Sequence, residues 1–368
     1  MTNSASSQLV LVTGGSGHLG SHCVLQLLQK GYQVRTTVRT QSRVEDAKAK
    51  YRHGGATDEQ ISAIEIVILD LVNDTDSAWT KACTGAKYLL HTAGLIATGK
   101  EKDVNELLIP LKDGTLRVLR AAKAAGVHKV VFTSSVAAIA QGHGPKRGKS
   151  QPFTEEDWTD LSDKKEKLHV YPRAKTIQEQ AAWEYIKSEE GEGLEMTVIN
   201  PVAMYGPSLS KEFASSLKLI GILLGGMPGV PQYGTGMVDV RDVAELHVKA
   251  MESEAANGQR YLAISGTSKE VESQDAVCDF VSMISSAEIL RNGLPVERTS
   301  KIPTRTLPNF VMRAAGYFDP VVGVCLPDLG KELAGSFAKA RKELDWKPRT
   351  VEEALLSSAN SLIEFGAV

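Results

Sequence analysis

A tyrosine and a lysine one helical turn apart are the residues of this sequence best suited to acid–base chemistry. Tyr171 and Lys175 lie at the ends of Tyr-Pro-Arg-Ala-Lys, where a helical run begins. Residues at this spacing share one face of a helix. A fixed positive charge beside a phenol favours the phenolate and lowers the pKa of the tyrosine. We therefore expect Tyr171 to exchange a proton near neutral pH, once other elements bring a substrate to it.

The N-terminal region predicts a nucleotide-binding turn. An apolar run at residues 9–12 leads into Thr-Gly-Gly-Ser-Gly-His-Leu-Gly at residues 13–20, and then into apolar residues at helical spacing. A strand, a glycine-rich turn and a helix in this order form the context of a dinucleotide-binding fingerprint. Backbone amides at the helix start, including those of His18 and Leu19, would face a pyrophosphate. Two registers stay open: Gly14, Gly17 and Gly20, or Gly15, Gly17 and Gly20.

Two arginines favour NADP over NAD as the cofactor. The next predicted strand, residues 33–38, is followed by Arg39, and Arg43 comes one helical turn later. NAD-dependent enzymes usually carry an acidic residue at this strand end, whereas an arginine accommodates the 2′-phosphate of NADP. The alternative is that both arginines are ordinary solvated charges.

Residues with binding chemistry recur where predicted strands end. Asp70 and Leu71 follow a strand at residues 64–69 and would contact the adenine, the carboxylate by accepting its amino group. Ala93 follows a strand at residues 88–91, and Ser135 follows one at residues 129–132. Strands alternating with helices predict an α/β fold with a doubly wound parallel sheet, a Rossmann-like domain. Ligands bind such sheets at the carboxyl ends of the strands.

Motifs along nearly the whole chain resemble the extended short-chain dehydrogenase/reductase family. Within it, the chain is similar to the dihydroflavonol reductase-like branch, especially the microbial NADPH-dependent aldehyde and ketone reductases. The motifs are the glycine turn, Thr-Val-Arg at 37–39, Leu-Asp-Leu at 69–71, Phe-Thr-Ser-Ser at 132–135, the Tyr-x-x-x-Lys segment, Asn-Pro at 200–201, Gly-Pro at 206–207, Val-Asp-Val-Arg-Asp-Val-Ala at 238–244 and Trp-Lys-Pro-Arg at 346–349.

The resemblance implies a role for each matching residue. Ser135 hydrogen-bonds the substrate oxygen, Tyr171 is the general acid, and Lys175 binds the nicotinamide ribose and tunes the tyrosine. The remaining cofactor contacts that it implies are Thr133 after the fifth strand, Pro201 and Val202 beside the nicotinamide carboxamide, and Ser216 at the pyrophosphate.

The reaction that follows from this resemblance is reduction of an aldehyde or ketone by NADPH. The nicotinamide delivers hydride, Tyr171 protonates the developing alkoxide, and Ser135 donates a second hydrogen bond to that oxygen. One alternative is a nucleotide-sugar epimerase or dehydratase on the same fold; the Val136-Ala137 pair after Ser135 and the presence of Arg39 disfavour it. A second alternative is a non-catalytic NADP sensor, which would not need all three catalytic side chains.

Composition excludes several other classes of protein. The chain has 368 residues, is 42% hydrophobic and 23% charged, and has a net charge of -2. No basic surplus argues for nucleic acid or an anionic membrane as a partner. From the polar start we expect no signal peptide, and from four cysteines without paired spacing we expect a reducing, cytoplasmic location. The eight histidines form no ligand motif, so we expect no metal.

The sequence also predicts two domains and an apolar substrate pocket. The NADP-binding domain is expected at residues 1–199 and 233–265, and a discontinuous substrate lobe at residues 200–232 and 266–368. A loop rich in glycine, proline and methionine, residues 221–236, is expected to move over the pocket. The pocket candidates are Val136, Met204, Tyr205 and Phe213, which favour a hydrophobic or aromatic carbonyl compound. The protein is expected to be a monomer or a homodimer.

Overall fold

The fold is given by a computed structural model that describes residues 8–95, 103–143, 146–162, 170–316 and 326–368. Strands within these residues are β1 Leu9–Thr13, β2 Gln33–Val38, β3 Glu65–Ile68, β4 Tyr88–His91, β5 Lys129–Thr133, β6 Lys146–Arg147, β7 Glu195–Pro201, β8 Ala203–Tyr205, β9 Gly234–Thr235, β10 Met237–Asp239, β11 Arg260–Ala263, β12 Val277–Asp279, β13 Val281–Ser282 and β14 Glu332–Ser336.

The helices of the described residues are α1 His18–Gln29, α2 Ser42–His53, α3 Asp58–Ala63, α4 Asp76–Cys83, α5 Asn105–Ala124, α6 Val170–Lys187, α7 Lys218–Gly225, α8 Val240–Glu252, α9 Ser268–Glu272, α10 Met283–Gly293, α11 Val296–Thr299, α12 Asn309–Ala315, α13 Ala338–Leu344 and α14 Val351–Glu364.

Seven strands form one parallel sheet, in the order β11-β7-β5-β4-β1-β2-β3. The strand order reverses at β1, which pairs with β2 on one side and with β4 on the other. A crevice for a ligand opens at such a reversal, outside the carboxyl ends of the strands. The predicted doubly wound parallel sheet is therefore confirmed, and the expected binding edge lies beside β1.

Alternating side chains of the sheet supply the cores on its two faces. Val10 and Val12 of β1 pack in the core that contains α1 and α8, whereas Leu11 packs in the core that contains α5. Strands buried on both faces carry continuous apolar runs, which is why residues 9–12 and 88–90 read as strands in the sequence. The sheet is thus covered by helices on both sides, and its carboxyl edge stays open.

A smaller lobe has a hydrophobic core of its own, formed mainly by α7, α10 and α14. The predicted division into two domains stays a prediction, but the packing departs from its boundary near the C-terminus. Phe337, Ala340, Leu344 and Trp346 lie in the core of the large sheet. Trp346 Nε1 donates to the carbonyl of Asp242 in α8 at 2.9 Å. This segment therefore packs with the nucleotide-binding domain rather than with the substrate lobe.

Residues 221–236 do not form the continuous loop that we expected, and their movement over the pocket stays a prediction. The first five of these residues belong to α7, and Gly234–Thr235 is a strand. Val230 is fully buried, its amide donates to the Arg305 carbonyl at 3.0 Å, and its carbonyl accepts from Leu307 at 2.7 Å. Val230 therefore belongs to the lobe core, and its substitution would disturb that core.

The described cysteines and helices add two observations. Cys23, Cys83 and Cys278 are buried free thiols, and Cys325 lies outside the described residues. Among the helices that the structure describes, none combines the length and the apolar character needed to cross a bilayer.

Candidate active site

The glycine-rich turn adopts one of the two registers that the sequence left open. Gly14 has a positive φ of 73° directly after β1, and Gly14 and Gly17 line a cavity. A Cβ on Gly20 would lie 2.3 Å from the Gly14 carbonyl oxygen. Gly15 instead packs inward, where a Cβ would lie 1.9 Å from Thr36 Oγ1. The structure therefore favours Gly14, Gly17 and Gly20 as the nucleotide-binding set, with Gly15 required for packing against β2.

A cavity of about 890 Å³ runs along the carboxyl edge of β1, β2, β3 and β4. Its volume is within the range of ligand pockets, about 300–1,000 Å³. The predicted cofactor residues that line it are Gly14, Gly17, His18, Arg39, Arg43, Asp70, Leu71 and Ala93. Leu19 and Gly20 lie behind the turn, buried in α1. These strand-end residues therefore meet in one cleft.

The start of α1 is suited to an anion. Gly17 is the N-cap, no side chain caps the first turn, and that turn contains no acidic residue. The first amides of a helix have no partners within the helix, and its dipole places partial positive charge there. The pyrophosphate of a dinucleotide would satisfy these amides. The cleft thus fits the phosphate part of NADP through backbone groups of this chain.

Arginine–carboxylate pairs occupy the end of the cavity where we expect the 2′-phosphate. Arg39 Nε lies 3.4 Å from Asp70 Oδ2. Asp70 Oδ1 also accepts from the amides of Val72 and Asn73, so this carboxylate holds its own turn. Arg43 Nη1 pairs with Asp46 at 3.2 Å and with Glu212, which belongs to the opposite wall.

Two features of this cleft were missed in the sequence. Lys50 of α2 is almost buried, and its Nζ donates to the Ser16 carbonyl at 2.7 Å and to Asp46 Oδ2 at 3.0 Å. It therefore holds the glycine-rich turn in place. The opposite wall of the cavity is Ser208, Leu209, Ser210, Glu212, Phe213 and Ala214. No motif signals these contacts, since they depend on how distant segments pack.

Two residues predicted at the pyrophosphate, Ser216 and His18, direct their side chains to other contacts within the protein. Ser216 Oγ donates to the Met204 carbonyl, and Ser216 is not among the residues that line the cavity. Burial, together with the neighbouring His22 ring and the Lys50 charge, lowers the pKa of His18 to about 3. The His18 imidazole is therefore neutral. A contact of Ser216 with the pyrophosphate stays a prediction, as does that of the His18 backbone amide.

The three predicted catalytic side chains come together at the next strand end. Ser135 is the second residue after β5, and Tyr171 and Lys175 lie in the first turns of α6. Ser135 and Tyr171 are joined by a side-chain hydrogen bond. Ser135 Oγ also accepts from the amide of Ala137 at 3.1 Å, which fixes its side chain. A hydroxyl and a phenol thus present a paired hydrogen-bonding group at the carboxyl edge of the sheet.

The pKa of Tyr171 departs from the sequence-based expectation. Burial raises it, and the hydrogen bond from Ser135 acts in the opposite direction but does not reverse it. Lys175 does not contribute, since its Nζ lies 3.5 Å from the Thr133 carbonyl and faces the Phe132 ring at 5.5 Å. The expected lowering of the tyrosine pKa by Lys175 is therefore wrong for this structure. A raised pKa keeps Tyr171 protonated at neutral pH, which suits a proton donor.

Lys175 is almost fully buried, and burial lowers its pKa to about 8. Desolvation disfavours the ammonium form, whereas the nearby Glu179 charge favours it. His91 of β4 is also near Lys175. Burial, together with the Lys175 charge, lowers the pKa of His91 to about 3. Lys175 is therefore a cation at neutral pH that lies close to losing its proton.

The remaining predicted residues surround this group. Thr133 ends β5 and its hydroxyl bonds His247 Nε2 at 2.7 Å. Because His247 Nδ1 faces the Val243 carbonyl at 2.8 Å and must donate to it, Nε2 accepts from Thr133. Pro201 ends β7, and the buried Val202 donates its amide to Ala263 at 3.1 Å. These contacts support the edge of the sheet, and a role in cofactor binding stays a prediction.

The predicted substrate-pocket residues separate into two groups. Phe213 lines the cavity and is half-buried, and Val136 and Met204 are partly buried against the large core. Tyr205, by contrast, is 2% exposed and packs inside the lobe core. Its expected contact with substrate is therefore wrong, because the ring is enclosed by the lobe.

A possible set of metal ligands lies at the other edge of the sheet. Ligand atoms of His128, Glu195 and Glu254 all lie within 4.8 Å of one another. No sequence motif indicates this set, because it joins segments far apart in the chain. It stands at the amino ends of β5 and β7, opposite the glycine-rich turn. The chemistry of the cleft uses none of these residues.

The family model described as "NAD dependent epimerase/dehydratase family" matches residues 10–263, and the chain belongs to this family. The predicted resemblance to extended short-chain dehydrogenases/reductases is thereby confirmed. Cinnamoyl-CoA reductase 1 of Petunia hybrida is 34% identical over 260 residues, which span 70% of this chain and 73% of that protein.

Full-length similarity is found with yeast reductases. The NADPH-dependent methylglyoxal reductase of Saccharomyces cerevisiae is 26% identical over 371 residues, which span 97% of this chain and 98% of that protein. The crystal structure of yeast methylglyoxal/isovaleraldehyde reductase complexed with NADPH has a TM-score of 0.76 at 25% identity, covering 98% of this chain and 100% of that chain. The similarity therefore extends beyond the nucleotide-binding domain into the lobe.

Proposed function

We propose that this protein reduces an aldehyde or ketone to an alcohol with NADPH. The observation that carries the proposal is the hydrogen-bonded pair of Ser135 and protonated Tyr171 beside the Lys175 cation. This group lies at the same sheet edge as a cleft that presents Arg39 and Arg43. The named activities of the yeast and plant relatives, which are reductases of carbonyl compounds, support the same reaction.

Different residues of the cleft would bind different parts of the cofactor. The glycine-rich turn and the start of α1 would hold the pyrophosphate, and Arg39 and Arg43 would hold the 2′-phosphate by charge-assisted hydrogen bonds. Leu71 and Ala93 offer apolar contact along the cleft. When bound, NADPH supplies the hydride that reduces the carbonyl carbon.

The catalytic side chains act on the carbonyl oxygen. Tyr171 donates the phenolic proton to the oxygen as negative charge develops there, and Ser135 donates a hydrogen bond to the same atom. From one helical turn away, the Lys175 charge would stabilise the phenolate that remains on Tyr171. Because Ser135 is held by Ala137 and Tyr171, these donors are already positioned before the substrate arrives.

A carbonyl panel tests the proposed function and the substrate class. We expect the protein to oxidise NADPH in the presence of apolar aldehydes and ketones, aryl compounds included, with comparable kcat/KM across several of them. An apolar pocket discriminates by only about 1–3 kcal/mol for each methylene-sized change. Loss of NADPH absorbance and the chirality of the alcohols are the readouts. Interconversion of nucleotide sugars without NADPH consumption would contradict the proposal and favour an epimerase.

Phe213→Ala should reorder this series, since Phe213 lines the cleft on the lobe side. Phe310→Ala is the matched control, because Phe310 is 74% exposed and lies outside the cleft. An unchanged order in the Phe213 variant would remove this side chain from the substrate pocket.

Glu212→Gln should tighten NADPH binding. Arg43 is shared between Asp46 and Glu212 across the cleft, so Glu212 competes with the 2′-phosphate for this cation. Exposed ion pairs contribute at most about 1 kcal/mol, so the Kd for NADPH should fall by roughly two- to fivefold. Fluorescence titration measures the Kd. Glu272→Gln, which removes the same charge from an exposed residue outside the cleft, should leave it unchanged. A Kd equal to wild type in the Glu212 variant would show that Glu212 does not compete.

A further inference from the structure

A fully buried carboxylate lies one helical turn after Lys175. Glu179 is 0% exposed, and its two oxygens accept hydrogen bonds from four side chains. Oε2 accepts from Ser134 Oγ at 2.5 Å and from Asn200 Nδ2 at 2.7 Å. Oε1 accepts from Arg260 Nε at 2.6 Å and from Trp183 Nε1 at 3.3 Å. Both oxygens of this buried carboxylate therefore have hydrogen-bond partners.

Arg260 of β11 is the counterion of Glu179, and it is itself anchored. Its side chain is 9% exposed, and Nη1 donates to the carbonyls of Glu155 at 2.7 Å and Asp157 at 2.8 Å. The guanidinium also stacks on the Trp158 ring at 3.9 Å. A buried ion pair of this kind is weak evidence for a contribution to stability, so its presence calls for another explanation.

Hydrogen bonds connect Glu179 to the segment that carries the catalytic serine, Ser135. Ser134, which donates to Glu179, directly precedes Ser135 in the chain. Asn200 Nδ2, which also donates to Glu179, reaches the Ser135 carbonyl at 3.2 Å. Ser134 is thereby bonded to the Glu179 carboxylate directly, and the Ser135 carbonyl is connected to it through Asn200. Ser135 in turn bonds Tyr171, so the position of the hydroxyl pair depends on this attachment.

Glu179 is linked to Lys175 by charge. On its own helix, Lys175 lies one turn after Tyr171, a neutral phenol, and one turn before Glu179, whose charge acts on it. From β4 it faces His91, which is neutral, and from β5 the Thr133 carbonyl and the Phe132 ring. On the adjoining helix α5, the Leu111 carbonyl and the Thr115 hydroxyl accept from Gln178 of α6, and neither residue is charged. Among the described residues, Glu179 is thus the anion that opposes the desolvation of the Lys175 ammonium.

We propose that Glu179 is a positioning residue of the active site that keeps Lys175 charged and holds the Ser135 segment in place. Arg260 balances the charge of the buried carboxylate. This inference rests on the proposed reductase function, because Lys175 and Ser135 matter only if Tyr171 protonates a carbonyl oxygen.

The pH dependence of kcat/KM tests the electrostatic role. Loss of the Lys175 proton should end activity on the alkaline side, and removal of the nearby anion makes that loss easier. Glu179→Gln is therefore expected to move the alkaline limb to lower pH by roughly one unit, the size of a charge effect across one helical turn. Glu179→Asp, which keeps the charge but shortens the side chain, should keep the limb near its wild-type position. Glu184→Gln, an exposed change on the same helix, is the matched control and should have no effect.

NADPH affinity provides a readout that does not depend on turnover. Fluorescence titration across the same pH range should show that binding to Glu179→Gln weakens at lower pH than binding to wild type, since Lys175 is expected to contact the nicotinamide ribose. If Glu179→Gln does not fold, the double variant Glu179→Gln/Arg260→Met leaves no unpaired buried charge and should show the same downward shift.

Two results would overturn the inference. One is an alkaline limb that stays in place in the Gln variants. The other is an equal shift in Glu179→Asp and Glu179→Gln, which would indicate a packing role without a charge effect. If either occurs while Tyr171→Phe is inactive, the inference fails and the reductase function stands. If Tyr171→Phe is fully active, the proposed mechanism itself fails.

Discussion

Tyr171→Phe is expected to lower kcat by about 10²–10⁴-fold, the usual contribution of general acid catalysis. The substitution removes the phenolic hydroxyl and keeps the ring, so the first turn of α6 should retain its packing. The Ser135 hydroxyl remains and can still hydrogen-bond the substrate oxygen, but no group is left to supply the proton. The Kd for NADPH should stay close to wild type. Single-substrate kinetics with the best carbonyl compound and fluorescence titration of NADPH measure the two quantities.

A second tyrosine provides the control. Tyr32→Phe removes a hydroxyl that donates to Glu252 at 2.9 Å on the surface, far from the cleft. Its kcat should equal that of wild type. A Tyr171→Phe variant that retains most of its activity would show that another group donates the proton.

Arg39→Asp is expected to change the ratio of kcat/KM for NADPH to that for NADH by about 10- to 100-fold in favour of NADH, since a hydrogen bond to a charged group contributes roughly 1.5–3 kcal/mol. Arg39 stands directly after β2 and is 62% exposed at the end of the cleft, so its guanidinium is free to turn toward a 2′-phosphate. An aspartate there would repel that phosphate and accept hydrogen bonds from ribose hydroxyls.

Arg52→Asp is the control variant, because it makes the same change of charge outside the cleft. Arg52 lies near the end of α2, pairs with Asp58 at 2.8 Å, and does not line the cleft. Its cofactor ratio should match that of wild type. A wild-type protein that already prefers NADH would show that the assignment of Arg39 is wrong.

The strand-end residues were predictable because parallel strands impose a simple rule. Gly14, Arg39, Asp70 and Ala93 are spread over some eighty residues of sequence, yet each follows a strand of the same sheet. The carboxyl ends of parallel strands meet at one edge, so these residues line one cavity. The apolar runs and the glycine-rich turn indicate the strands without knowledge of their neighbours.

Residues that act through long-range packing could not be predicted in this way. Glu212 meets Arg43 only because the segment after β8 folds against the cleft, and Arg260 meets Glu179 only because α6 packs beside β11 of the sheet. The same reason explains the pKa of Tyr171, which depends on burial among distant residues rather than on the turn of helix that holds Lys175. The substrate contact predicted for Tyr205 is wrong for the same reason, since its neighbours in sequence do not reveal the lobe core around it.

The stoichiometry of the reaction tests the central claim most directly. Purified protein is mixed with NADPH and an excess of an apolar aldehyde, and NADPH loss and alcohol formation are followed together. We expect one alcohol for each NADPH consumed in the wild type, and with Tyr171→Phe both changes should be slower by about 10²–10⁴-fold. NADPH that is bound but never consumed, whatever carbonyl compound is offered, would contradict the account.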